Sequence, residues 1–209
     1  MTLNIRDYPK LHSPFKRVQA GKKYVVTNEL EPGYEWIFDD GVKAVDKLHG
    51  TNLCLVVMDG KVTAIDNRDT RIFTAPFDIP IKNVQGNRFL EGVLAASQKG
   101  WLEDTEGYVY GELIGPHING NMHKTTGHLF VPFQYLQSKC HWRSWISNQY
   151  PKDFDSISAW FKDLPSLFSD RVCKESVLAE GLVFYHPNGK RCKLRRDMFE
   201  WYEGEQHKE

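Results

Sequence analysis

VKAVDKLHGTNLCLVVMDGKVTAID, residues 42–66, sets two extended runs around a glycine turn and then folds the second run back on itself. Val42 to Asp46 reads as a strand. Asn52 to Met58 and Lys61 to Asp66 read as two more, joined by Asp59-Gly60, a dipeptide suited to the positive φ angles of a tight hairpin. An antiparallel pair therefore follows Lys47-Leu48-His49-Gly50-Thr51, and Lys47 stands at the end of one strand on a glycine-containing turn. A lysine displayed in this way is a candidate nucleophile. Its ordinary pKa of about 10.4 keeps it protonated near neutral pH unless a neighbouring cation or desolvation favours the amine. A lone lysine before a turn is otherwise a solvated surface residue, so the meaning of Lys47 depends on the rest of the chain.

Outward from this stretch, Leu90, Val93, Leu94 and Ser97/Trp101 fall at three- to four-residue spacing and predict a helix between Asn87 and Gly100. Strands are expected at Gly107 to Ile114 and Leu129 to Tyr135. A helical stretch is expected from Trp142 to Phe168, broken near Pro151 and Pro165. Strands return at Val177 to Tyr185 and Arg191 to Arg195, on either side of a Pro187-Asn188-Gly189 turn. The sum is an α+β class with antiparallel sheets flanked by helices, and one domain over residues 1–209, since no repeat, linker or low-complexity tract divides the chain.

Composition narrows the function classes. The 209 residues are 41% hydrophobic and 26% charged, with 27 Lys+Arg against 27 Asp+Glu. Disorder is excluded, no run approaches the roughly 18 apolar residues of a membrane span, and Met1 to Lys10 lacks the apolar core of a signal peptide, so a cytoplasmic protein without membrane partners is expected. Zero net charge leaves no global field for a polyanion; nucleic-acid binding would rest on local basic patches at Lys10 to Lys23 and Lys190 to Arg196. Cys54, Cys140, Cys173 and Cys192 form no CxxC pair and read as reduced thiols, with Cys54 and Cys192 buried in apolar alternation. His117, His123 and His128 cluster loosely, but without acidic or Cys companions they make a poor zinc site.

Several stretches then recur in one order. Lys47-Leu48-His49-Gly50-Thr51-Asn52 resembles the nucleophile motif of the covalent nucleotidyltransferases, and its KxHGxN form resembles ATP-dependent RNA ligases of the T4 RNA ligase 2 type. Asn67 to Arg71 is similar to that family's downstream arginine element, Tyr108 to Gly115 to the strand carrying a ribose-binding Glu, and Leu129 to Gln134 to the strand whose aromatic stacks on adenine. Glu180 to Phe184 and Lys193 to Arg196 resemble the last two motifs, and Tyr8 to Lys10 with Ser13 to Arg17 the opening segment. Six elements in order after the opening segment are stronger than any one of them.

The resemblance implies a nucleotidyltransferase (ATP-grasp-like ligase) fold, here an adenylyltransferase domain, because only about 13 residues follow the last basic motif and leave no room for a separate carboxyl-terminal domain. It implies that Lys47 attacks the α-phosphate of ATP, leaving lysyl-AMP, and that Lys193 offsets charge on that phosphate, with Arg195 in place of a more usual Lys. It implies that Glu112 takes the ribose, Glu180 takes Mg²⁺ (Mn²⁺ as the alternative ion), and His49 and Asn52 orient the leaving pyrophosphate. Arg68 would reach the phosphates, with Arg71 the weaker candidate, and Phe133 would stack on the base, with Phe130 as the fallback. Strand alternation puts Arg191, Lys193 and Arg195 on one side. A carboxylate inside an apolar strand needs a partner, so structural salt bridges of Glu112 and Glu180 to the basic strand are the bland alternative.

The implied activity is RNA end joining: AMP transfer to a 5′-phosphate, then sealing to a 3′-hydroxyl, on nicked duplexes or bridged single strands, with a protein that presents the ends as a further candidate partner. A DNA ligase or a cap-forming guanylyltransferase is the alternative enzyme, though its motif more often carries Asp where His49 stands. A non-catalytic nucleotide- or RNA-binding module is the alternative outside catalysis.

Overall fold

The computed structural model describes residues 4–74, 84–143 and 150–204. The chain forms two compact units, one of residues 1–9 and 49–136, the other of residues 10–48 and 137–209.

The first unit is built on a five-stranded antiparallel sheet. Its strands are β4 (Thr51–Met58), β5 (Lys61–Asn67), β6 (Thr70–Thr74), β7 (Gly107–Ile114) and β8 (Leu129–Pro132), in the order β6-β5-β4-β7-β8. The Asp59-Gly60 turn closes the β4–β5 hairpin with both residues at positive φ, as the dipeptide requires. Alternation along β4 sends Leu53, Leu55 and Val57 to one face, where they meet Val109, Leu113 and Phe130 beneath helix α1 (Val84–Gln98). Each such fully buried side chain contributes on the order of 1.5–3 kcal/mol. The helix lies so close that a Cβ on Gly92 would stand 2.2 Å from Leu113 Cδ1 and 3.1 Å from the Phe130 amide nitrogen.

The second unit holds a hairpin, β1 (Phe15–Ala20) with β2 (Lys23–Leu30), and a four-stranded antiparallel sheet. That sheet comprises β3 (Lys43–Lys47), β9 (His141–Arg143), β10 (Gly181–Tyr185) and β11 (Arg191–Arg195), in the order β11-β10-β3-β9. Its core face presents Ala44, Leu182, Phe184, Cys192 and Leu194 to an aromatic-rich core with Phe15, Phe161 and Phe199. Helix α3 (Phe154–Lys162) starts where Asp153 Oδ1 accepts from the Ser156 N–H at 2.8 Å, and buries Ile157 and Phe161 one turn apart.

The expected α+β class with antiparallel sheets and helices is the observed one, and all four cysteines are free thiols, with Cys54 and Cys192 buried. Three local expectations change. The strand expected through Tyr135 stops at Pro132, which has no N–H for a further ladder bond, and Phe133–Lys139 forms helix α2. The helical stretch expected over Trp142 to Phe168 opens with strand β9, which finds a partner in β3, and among the described residues only 154–162 and the final two, 167–168, are α-helical. The strand expected from Val177 begins at Gly181, so Glu180 stands just ahead of it.

Candidate active site

Lys47 ends β3 on the sheet face opposite the core, and the register sets its neighbours. Lys47 pairs with Gly181 of β10, and Gly181 with Arg195 of β11; one row along, Val45, Val183 and Lys193 are aligned in the same way. Cross-strand partners share a face, so Lys47, Lys193 and Arg195 project on the side away from Leu182 and Leu194, as alternation predicts. Gly181 is demanded here: a Cβ would lie 2.2 Å from the Leu194 carbonyl oxygen.

The Lys47 ammonium Nζ donates to Glu180 Oε2 at 2.8 Å. The Glu180 side chain is 4% exposed against 23% for Lys47, so the carboxylate is the anchored member and the lysine the accessible one. The pair joins two residues that the sequence places 133 positions apart. Lys193 is half-buried, and its backbone N–H donates to the His12 carbonyl at 2.9 Å, tying the closing strand to the segment ahead of β1. Arg195 is 5% exposed and its Nε donates to Asp197 Oδ1 at 3.0 Å. Its guanidinium is thus oriented by a carboxylate of the same segment.

Behind Lys47, on the core face, lies a group that the sequence did not single out. Asp46 is 1% exposed; its Oδ2 accepts from Ser166 Oγ at 2.8 Å and from the Phe168 N–H at 2.9 Å, while Oδ1 is buried without a partner among the described residues. Burial pushes its carboxyl up to about 6, against the opposing pull of the two hydrogen bonds, and the Glu180 charge adds to the rise. The signal available was a carboxylate inside an apolar strand.

In the other unit, Asn52 of β4 and Glu112 of β7 are direct cross-strand partners, so they share the sheet face away from α1. Asn52 Nδ2 reaches the Gly111 carbonyl at 3.4 Å, and its Oδ1 is buried with no partner among the described residues. Tyr110, two residues before Glu112 on the same face, meets the ring of Tyr8 at 5.4 Å between centroids, and Tyr8 in turn meets Phe133 edge-on at 4.7 Å. Phe130 is fully buried in the core beneath α1, whereas Phe133 is only half-buried, so of the two candidate stacking rings only Phe133 has accessible surface. Arg71 is engaged by Asp66, a residue with no exposure, through Nε to Oδ1 and a second bond of 3.2 Å. Arg68 lies at the exposed tip of the β5–β6 turn at φ 54°. His49 and Gly50 begin this unit, and a Cβ on Gly50 would stand 2.3 Å from the Leu113 carbonyl oxygen, which explains the glycine after His49.

Among the described residues no three His, Cys, Asp or Glu gather as a closed metal site would require.

The architecture has counterparts among solved structures. Naegleria gruberi RNA ligase with pyrophosphate matches at a TM-score of 0.50 and 20% identity, over 77% of this chain and 51% of that one. A point mutant of that ligase with AMP and Mn matches at 0.52 and 18%, over 88% and 59%. The fold is that of an RNA ligase. A second point mutant with AMP and Mn gives 0.50 and 18%, over 92% and 61%. This RNA-ligase-fold chain spans about half to three-fifths of the length of those structures. No protein-family model and no curated protein matches the chain.

Proposed function

We propose that the chain is an ATP-dependent RNA ligase, a single adenylyltransferase domain in which Lys47 is the nucleophile. One observation carries this reading: in an RNA-ligase fold, the lysine of the KLHGTN turn is held at 2.8 Å by a nearly buried carboxylate, on the sheet face that also carries Lys193 and Arg195. The pyrophosphate, AMP and Mn found with the matching structures support the choice of nucleotide and divalent ion.

Before Lys47 can attack, its ammonium must lose a proton, a loss that Lys193 and Arg195, cations on the same sheet face, favour. Nζ then forms a bond to the α-phosphorus of ATP as the bond to the bridging oxygen breaks and pyrophosphate leaves, giving lysyl-AMP. Lys193 and Arg195 offset charge that builds on the α-phosphate oxygens. The AMP passes to an RNA 5′-phosphate, and attack by a 3′-hydroxyl seals the strand and releases AMP. Glu180 suits Mg²⁺ or Mn²⁺ as a hard oxygen donor, and an ion of this kind keeps most of its ligands as water and phosphate. Such an ion would supply charge neutralisation on the triphosphate. Glu112 takes the ribose, His49, Asn52 and Arg68 the departing phosphates, and Phe133 the base.

The experiment is adduct formation with α-labelled ATP and Mg²⁺. Wild type is expected to acquire an acid-labile, base-stable label, and Lys47→Ala and Lys47→Arg to acquire none. Arg is the sharper substitution because it keeps the charge but is never deprotonated. Label on Lys47→Ala would place the nucleophile elsewhere. Label from GTP in preference to ATP would turn the reading toward a guanylyltransferase, and an unlabelled wild type toward a binding module.

A further inference from the structure

The three histidines of residues 117–128 do three different things. His117 is exposed, at φ 63°. His128 bridges the Glu91 carboxylate at 2.7 Å and the Pro116 carbonyl at 2.9 Å. His123 is 2% exposed, and its Nε2 accepts from the backbone N–H of His49 at 3.1 Å. Four residues earlier in the same loop, Asn119 Nδ2 donates to the Gly50 carbonyl oxygen at 2.6 Å. Two side chains from one loop therefore bracket the His49-Gly50 dipeptide, His123 accepting from the N–H at its start and Asn119 donating to the carbonyl at its end.

The loop that carries them is stiff. Asn121 Oδ1 accepts from both the N–H and the hydroxyl of Thr125, and its Nδ2 donates to the Thr125 carbonyl. Ile118 is buried in the core of the unit. Residues 117, 119, 120, 121 and 124 all take positive φ, a conformation that costs non-glycine residues energy and persists only where surrounding contacts determine it. Because Nε2 is the acceptor, the His123 imidazole is neutral with its proton on Nδ1. The opposite wall of the turn is closed as well, since Gly50 has no room for a Cβ against Leu113 and Glu112.

We propose that His123 and Asn119 are positioning residues for the ligase reaction: they fix the His49-Gly50 turn and so hold the His49 side chain where it can meet the departing phosphates. This rests on the ligase reading. Neither residue touches the reacting atoms. Displacements of about 1 Å remote from the chemistry can cost on the order of 10²-fold in rate, so a loose turn should slow the chemical step and leave nucleotide affinity largely intact.

The test is single-turnover adduct formation by the full chain over a range of ATP concentrations, with circular dichroism to check folding. His123→Ala removes the acceptor, and His123→Gln restores one at similar reach. Asn119→Asp sets a carboxylate against the Gly50 carbonyl at constant shape, and aspartate tolerates the left-handed backbone. The expected result is a limiting rate at least about tenfold lower in His123→Ala and Asn119→Asp, with half-saturating ATP changed less than about threefold, and recovery of most of the rate in His123→Gln. If His123→Ala does not fold, His123→Gln and Asn119→Asp decide. Wild-type rates in folded Asn119→Asp, a loss confined to ATP affinity, or a folded His123→Gln well below the wild-type rate would each overturn the proposal. Absence of any adduct on wild type would instead overturn the ligase reading beneath it.

Discussion

At the scale of single residues, the neighbours Asp46 and Lys47 have opposite surroundings because β3 alternates. Lys47 faces a carboxylate from an accessible position; Asp46 is sealed against Ser166 and Phe168. The raised carboxyl of Asp46 has a thermodynamic consequence. A folded-state value of about 6 against an ordinary 3.8 means that the native protein holds this proton more tightly than the unfolded chain. The stability tied to it is fully present below about pH 4 and is lost as pH rises through about 6, a change on the order of 3 kcal/mol. Asp46→Asn should remove that slope. Denaturant unfolding of both proteins at pH 4 and pH 7 checks it, the difference between them moving in favour of the variant at the higher pH. A difference that stays fixed would mean that the carboxyl titrates where a solvated one does.

At the scale of elements, α1 tests how closely a helix can approach its sheet. Gly92→Ala improves intrinsic helix propensity by about 1 kcal/mol, yet the new methyl would meet Leu113 Cδ1 at 2.2 Å within a fully buried layer, and overpacking of this kind costs about 1–3 kcal/mol. The net expectation is a lower midpoint in thermal unfolding with the Lys47–Glu180 pair untouched; a more stable variant would show that the layer yields. Elements with strict alternation or a clear turn could be read from sequence: β4, β5, β7 and β11 lie within a residue of their expected limits. Where tertiary pairing decides, the sequence is silent. The three residues of β9 are extended because β3 offers them a partner, and the β1–β2 hairpin escaped notice because its alternation is blurred by surface residues such as Val18 and Tyr24, each about half exposed. The same holds at the candidate site. Resemblance of motifs could place Lys47, Glu180 and Lys193 on one list, but only strand register puts Lys193 and Arg195 beside Lys47. No spacing rule announces that a loop residue such as His123 accepts a hydrogen bond from His49, 74 positions away.

At the scale of the whole molecule, equal numbers of acidic and basic residues leave the proposed RNA binding to local cations, and several are already engaged. Lys16 is paired with Glu29 at 2.7 Å, and Lys23 donates to the carbonyls of Tyr202 and Gly204. Since each neutralised phosphate of a duplex adds about 0.9 to the salt slope, log affinity for nicked RNA should fall with log salt at a slope no steeper than about 4. Fluorescence anisotropy between about 50 and 200 mM salt measures it, and self-adenylylation should persist where sealing fails. A slope near 8 would reveal a far larger footprint on the backbone. The interleaving of the two units also carries a consequence for synthesis on the ribosome. Residues 49–136 emerge as an unbroken stretch and complete the five-stranded sheet, whereas β3, made earlier, lies between β9 and β10 and has neither neighbour until the chain has grown past residue 140 and then 180. At roughly 5–20 residues per second the strand that ends in Lys47 waits on the order of ten seconds with both edges unpaired, a window in which a holding chaperone or a neighbouring nascent chain can reach it before its own sheet does.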